Sequence, residues 1–103
     1  MNTYLYLLPF KNSEHFKVGI SSNNFSRIFH LNNIYGFDLE KAIIIKSDNT
    51  RFVKVLEKEI LSLFYQTIVE FEGLEGHTEI CNKRHWSQVV DLITTKKKFL
   101  NIP

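Results

Sequence analysis

Tyr6, Arg27 and Glu57 are of the types that phosphate chemistry uses: a phenol, a guanidinium and a carboxylate. Arg27 belongs to the stretch HFKVGISSNNFSRI, residues 15–28. There a short apolar strand halts at Gly19, runs through Ser21, Ser22, Asn23 and Asn24, and restarts as a helix. At about 100° per residue, Arg27 falls between Leu31 and Ile34 at the edge of the apolar arc. On a second helix Glu57 falls beside Val53, Ile60, Leu61 and Phe64, while Lys58 points to water. A charge at such a position is expensive unless it is paired, metal-bound or facing a ligand. Two readings stay open. Arg27 and Glu57 pair with each other or reach solvent along their stems, or they serve as a cation for a phosphate and a carboxylate for a divalent metal.

The tyrosines add a third element. Tyr4 and Tyr6 share one face of a first strand, and Lys17 and Gly19 share one face of a second. A register that sets Tyr6 opposite Lys17 would bring the ammonium close to the phenol. A nearby cation favours phenolate and makes tyrosine a better base. A plain Tyr–Lys pair on a sheet surface is the alternative.

These groups need a scaffold. TYLYLL, residues 3–8, reads as a strand ended by Pro9, and FKVGI, residues 16–20, as its antiparallel hairpin partner. Residues 24–35 read as a helix capped by Asn23 or Asn24 and stopped by Gly36. AIIIK is a third strand, and residues 51–65 form an amphipathic helix with Phe52, Val53, Leu56, Ile60, Leu63 and Phe64 inside. GHTEIC, residues 76–81, is a short strand. Asn82 then caps a last helix with Trp86, Val89, Val90 and Ile93 on its inner face. The expected class is α+β, in ββαβαβα order: a small antiparallel three-stranded sheet flanked by helices, with a short strand and a C-terminal helix added.

The 103 residues suit one domain, and 44% hydrophobic content suits a folded core. A formal charge of +2 is far from histone-like basicity, so the placement of charge matters more than its total. One cysteine, Cys81, rules out an internal disulfide and fits a reducing compartment. The apolar run at the N-terminus is broken by Pro9 and is too short for a signal peptide or membrane span. A soluble, intracellular (cytoplasmic) protein with no membrane partner is expected.

YLY at residues 4–6, ten intervening residues, KVG at residues 17–19 and Arg27 eight residues after Gly19 together resemble the signature of the GIY-YIG nuclease superfamily. LEKEILSLF is similar to its glutamate helix, and GLEGHTEIC to a strand of its short phage- and virus-associated branch. The likeness covers residues 3–81. It implies a single GIY-YIG-like domain over residues 1–103 and a metal-dependent endonuclease acting on nucleic acid, DNA in the first place, with low intrinsic sequence specificity. Tyr6 would be the general base or water-orienting group, and Lys17 would replace the first tyrosine of YIG. Gly19 would let the backbone turn into the SSNN loop. Arg27 would bind the scissile phosphate, and Glu57 would hold one Mg²⁺ or Mn²⁺.

Two positions depart from the family. Leu61 stands where a histidine is frequent, and Ile80 and Cys81 follow Thr78 and Glu79 where an aromatic is expected. These departures suit an alternative: a catalytically degenerate module of the same fold that binds nucleic acid or a protein partner as a regulator, for example one encoded by a mobile element. His77 and Glu79 alternate on one strand face and are accessory candidates, as is Tyr4. Ser21, Ser22 and Asn23 at a helix start, and Lys83 and Arg84, are candidate phosphate contacts. Helix capping and surface charge explain them as well. Cys81 reads as a small core residue.

Overall fold

The computed structural model describes residues 3–21, 26–65 and 80–100, and only the backbone at 26, 27, 31, 34, 35 and 97–100. In chain order the elements are β1 (Thr3–Pro9), β2 (His15–Ser21), α1 (Ser26–Tyr35), β3 (Ile43–Ser47), α2 (Thr50–Phe64) and β4 (Ile80–Asn82). A 3₁₀ turn (Lys83–His85) then leads into α3 (Trp86–Leu100). The sheet has four strands in the order β3-β1-β2-β4, not three. The short fourth strand is no appendage: it pairs antiparallel with His15, Phe16 and Lys17 of β2. Of the strand expected over residues 76–81, residues 76–79 lie outside the described residues.

β1 is flanked by β2 and β3 and covered on both faces, which is why TYLYLLP is apolar almost without alternation. The two faces build two separate cores. Leu5, Leu7, Phe16, Val18, Ile45 and Cys81 point to one side, against Val53, Leu56 and Ile60 of α2 and Val89 and Ile93 of α3. Tyr6, Leu8, Phe10 and Ile80 point to the other, against Ile28 of α1 and Phe37. The sheet is thus sandwiched, with α1 on one side and α2 and α3 on the other.

The helix ends follow local chemistry. Gly36, at φ +73°, ends α1 by donating its N–H to the carbonyl of Asn32 at 2.9 Å. A left-handed residue of this kind is a common helix stop, and glycine adopts it without steric penalty. Asn49 caps α2, its side chain accepting from the N–H of Phe52 at 3.0 Å. The hydroxyls of Thr3 and Thr50, 2.7 Å apart, tie the start of α2 to the start of β1. Asn82 caps the 3₁₀ turn by accepting from the N–H of Arg84 at 2.8 Å. On α2, Leu63 faces solvent at 61% exposure instead of joining the core. Val53, Leu56 and Ile60 already fill the stripe that meets the sheet. No helix among the described residues is long and apolar enough to cross a membrane.

Candidate functional site

The β1–β2 register sets Tyr6 opposite Gly19 and Leu8 opposite Lys17. Tyr6 and Lys17 are therefore not the directly facing pair that one sequence reading invoked. They share the α1 face as diagonal neighbours, which in an antiparallel pair lie roughly 7–8 Å apart and within reach of long side chains. What faces Tyr6 is an absence of side chain. A Cβ built at Gly19 would stand 2.4 Å from both Cζ and Oη of Tyr6 and 2.6 Å from Cε1. The phenol lies across the backbone of Gly19, and no larger residue fits beneath it. This corrects the role expected for Gly19. Gly36 has the one positive φ among the described residues, so Gly19 serves close approach of the ring, not a special backbone turn.

Lys17 is fully buried, between Leu8 of β1 and Ile80 of β4. A buried ammonium is tolerated only when hydrogen-bonded or paired. Among the described residues no buried side-chain nitrogen or oxygen lacks a partner. Tyr6 is 1% exposed on the same face. The next row toward the open end of the sheet is polar, with Tyr4 opposite Ser21 on one side and Lys46 on the other. Arg27 is the second residue of α1 and precedes Ile28, which is buried against Tyr6's cluster. The side chain of Arg27 lies outside what is described. Ser22, Asn23, His77 and Glu79 lie outside the described residues as well.

Glu57 belongs to the other layer. It is half-buried on α2 and lines an open groove of about 600 Å³ with Ile20, Thr50, Arg51, Lys54, Val55 and Lys58. Ile20 follows Gly19 directly, and the alternation of a strand sends its side chain to the α2 face. Tyr6 and Glu57 therefore meet consecutive residues of β2 from opposite sides of the sheet. Among the described residues β4 covers only His15 to Lys17 of that strand. Tyr6 and Glu57 do not line one concave face.

Lys83 and Arg84 are remote from Ser21. They sit by the β1–β2 turn, at the far end of the sheet. His15, which pairs with Asn82, is six residues from Ser21, roughly 20 Å at strand spacing. The Lys83 ammonium donates to the carbonyl of Phe10 at 2.7 Å, and its N–H to the carbonyl of Glu14 at 2.7 Å. Arg84 directs Nε at Nε2 of His85, 3.2 Å away. Lys83 clamps the hairpin to the last helix, and neither residue can share a phosphate with Ser21. Cys81 is a core residue. Burial pushes its thiol up to about 12, which leaves no thiolate for nucleophilic chemistry.

Among the described residues no group of three or more His, Cys, Asp or Glu is placed to hold a metal. A site on Glu57 would be a one-carboxylate site. Hard dications such as Mg²⁺ keep several waters and accept such sites when phosphate completes the shell. A half-exposed carboxylate facing an open groove fits that requirement. The surrounding Arg51, Lys54 and Lys58 oppose a bare dication and favour one that arrives with an anion. Sequence reading passed over Arg51 and Lys54 and gave Lys58 only to solvent, although the i, i+3, i+7 spacing in RFVKVLEK puts the three on one helical face.

Comparison with protein-family models, with curated proteins and with solved structures returns no match.

Proposed function

We propose that the chain is a metal-dependent endonuclease that hydrolyses phosphodiester bonds in DNA with low intrinsic sequence specificity. The observation that supports it most is the arrangement of side chains along Lys17 to Ile20 of β2. The phenol of Tyr6 is laid over Gly19 with Lys17 on the same face, and the groove of Glu57 touches the next residue, Ile20. In this reading Tyr6 orients the attacking water through its phenol oxygen. Lys17 favours negative charge at that oxygen. Arg27, at the start of the helix on the same face, neutralises the non-bridging oxygens as the water–phosphorus bond forms and the bond to the leaving sugar oxygen breaks. Glu57 would hold Mg²⁺ or Mn²⁺, which when bound would supply Lewis-acid stabilisation of the charge on phosphate and leaving group.

The burial of Tyr6 and Lys17 favours a second reading, a non-catalytic module of this fold that binds nucleic acid or a protein partner as a regulator. Leu61 adds to it, packed against the core where the family's histidine stands. A cleavage assay separates the two. Single-stranded, duplex and branched DNA are incubated with Mg²⁺, Mn²⁺ or EDTA, using wild type, Tyr6→Phe, Arg27→Ala and Glu57→Ala. The endonuclease reading expects metal-dependent cutting that falls about 10²–10⁴-fold in each variant. A folded wild type that cuts none of these substrates leaves the regulator reading standing.

A further inference from the structure

The cations of α2 are arranged against the needs of the helix that carries them. Arg51 lies in its first turn, and that turn holds no acidic residue. The N-terminal end of a helix carries positive partial charge, so a cation there is unfavourable and an acid favourable. Lys54 and Lys58 extend the row. At about 100° per residue the three fall within an arc of roughly 60°, and all three are exposed. Glu57 lies between that arc and the buried stripe. None of the three makes an ion pair with a described residue, whereas Glu59 on the opposite flank is bridged to Lys96 of α3 at 3.6 Å. Asp48, the acid nearest the helix start, is not among the groove-lining residues. Like charges crowd one side of a groove whose one acid is Glu57.

We propose that this groove is the track for a nucleic-acid backbone, with Arg51, Lys54 and Lys58 neutralising successive phosphates of one strand as it passes the end of β2 at Ile20. From Arg51 to Lys58 the helix rises about 10 Å. Three successive phosphates of a duplex strand span two steps, about 7 Å of rise along the duplex axis, a difference that the long Arg and Lys side chains bridge. The positive end of α2 at Thr50 adds to the same field. A second basic cavity, lined by Lys11, Lys41 and Lys83, is less available. Lys83 is tied to the carbonyl of Phe10, and Lys41 stands 3.9 Å from Asp38. The assignment deepens the endonuclease reading by giving the substrate strand a path, and its test does not require cutting.

The test is fluorescence anisotropy of the whole chain with a short fluorescein-labelled single strand and the matching duplex, in EDTA, over a series of salt concentrations. Wild type is compared with Arg51→Gln/Lys54→Gln/Lys58→Gln, the three single substitutions, and a charge-matched control, Lys11→Gln/Lys41→Gln/Arg84→Gln. Each phosphate contact contributes roughly 0.7 (single strand) to 0.9 (duplex) to the slope of log affinity against log salt. The triple variant is expected to lose about two to three from that slope and more than tenfold in low-salt affinity, each single about one third of the slope loss, and the control little. Three outcomes overturn the proposal: a wild-type slope in the folded triple variant and in all singles, equal losses in triple and control, or no DNA binding by wild type. Stripe-dependent binding without cutting in Mg²⁺ or Mn²⁺ sinks the endonuclease reading and leaves the track. Cutting by wild type with an unchanged slope in the triple variant does the reverse.

Discussion

Tyr6 and Gly19 behave as one unit, and their coupling is measurable. Gly19→Ala drives a methyl into the phenol ring, and overpacking of this kind costs typically about 1–3 kcal/mol. In a Tyr6→Val background that clash is gone, so the same substitution should cost clearly less. A double-mutant cycle by denaturant melts reads the difference. Equal costs in both backgrounds would mean that the ring does not lie across Gly19. Cys81 offers a second check at this scale. Its thiol is raised from the ordinary 9.0 to about 12, so the folded protein should resist alkylation by iodoacetamide at pH 8–9 and react on unfolding. The raised value also sets a sign. The neutral thiol's contribution to stability is complete below about pH 9 and is lost as pH rises toward 12, because the unfolded chain ionises first. Rapid labelling of the native state would contradict the burial.

Among the elements, α2 is where the proposed backbone track would set binding against stability. One stripe of Val53, Leu56 and Ile60 packs it on the sheet, Asn49 caps it, and Thr50 is tied to Thr3. Its N-terminal charges work against it. Arg51→Glu should therefore raise the unfolding free energy by about 0.3–1 kcal/mol, read as a higher urea midpoint, while weakening retention on DNA. A lower midpoint would show that Arg51 supports the fold instead. β4 and the 3₁₀ turn have a different task. Through His15–Asn82 pairing and the Lys83 clamp they close the hairpin end of the sheet and bury Lys17 beside Ile80.

At the scale of the whole molecule, β1 contributes to both cores, with Leu7 on the α2–α3 side and Leu8 on the α1 side. The two layers should consequently unfold together. Leu7→Ala and Leu8→Ala are each expected to cost about 2–5 kcal/mol and to shift one common transition. Trp86, the single tryptophan, packs edge-on against Phe16 at 5.0 Å and reports the α2–α3 layer. Its fluorescence and the far-ultraviolet circular dichroism should give coincident curves. Separate curves would show that the α1 layer melts by itself.

Local chemistry was legible in the amino-acid sequence by itself. The apolar run of β1, the 3.6-residue stripe of α2, the stop at Gly36 and the cap at Asn82 depend on near neighbours, and the element order follows from them. So did the burial of Cys81 and the awkward position of Glu57 at the flank of its helix. The hairpin register was not legible. Lys17 and Gly19 share a face under the period of two, so a shift of two residues leaves every side chain on its side of the sheet. The fit of the Tyr6 ring over a residue without Cβ and the Phe10–His15 backbone bond, 3.1 Å, distinguish the observed register. Likewise, Lys17 is buried by Ile80 and Lys83 is engaged by Phe10, its partner 73 positions away. That Tyr6 and Glu57 approach β2 from opposite faces depends on which layer each helix joins. Contacts between distant parts of the chain, which no local pattern encodes, decided these points.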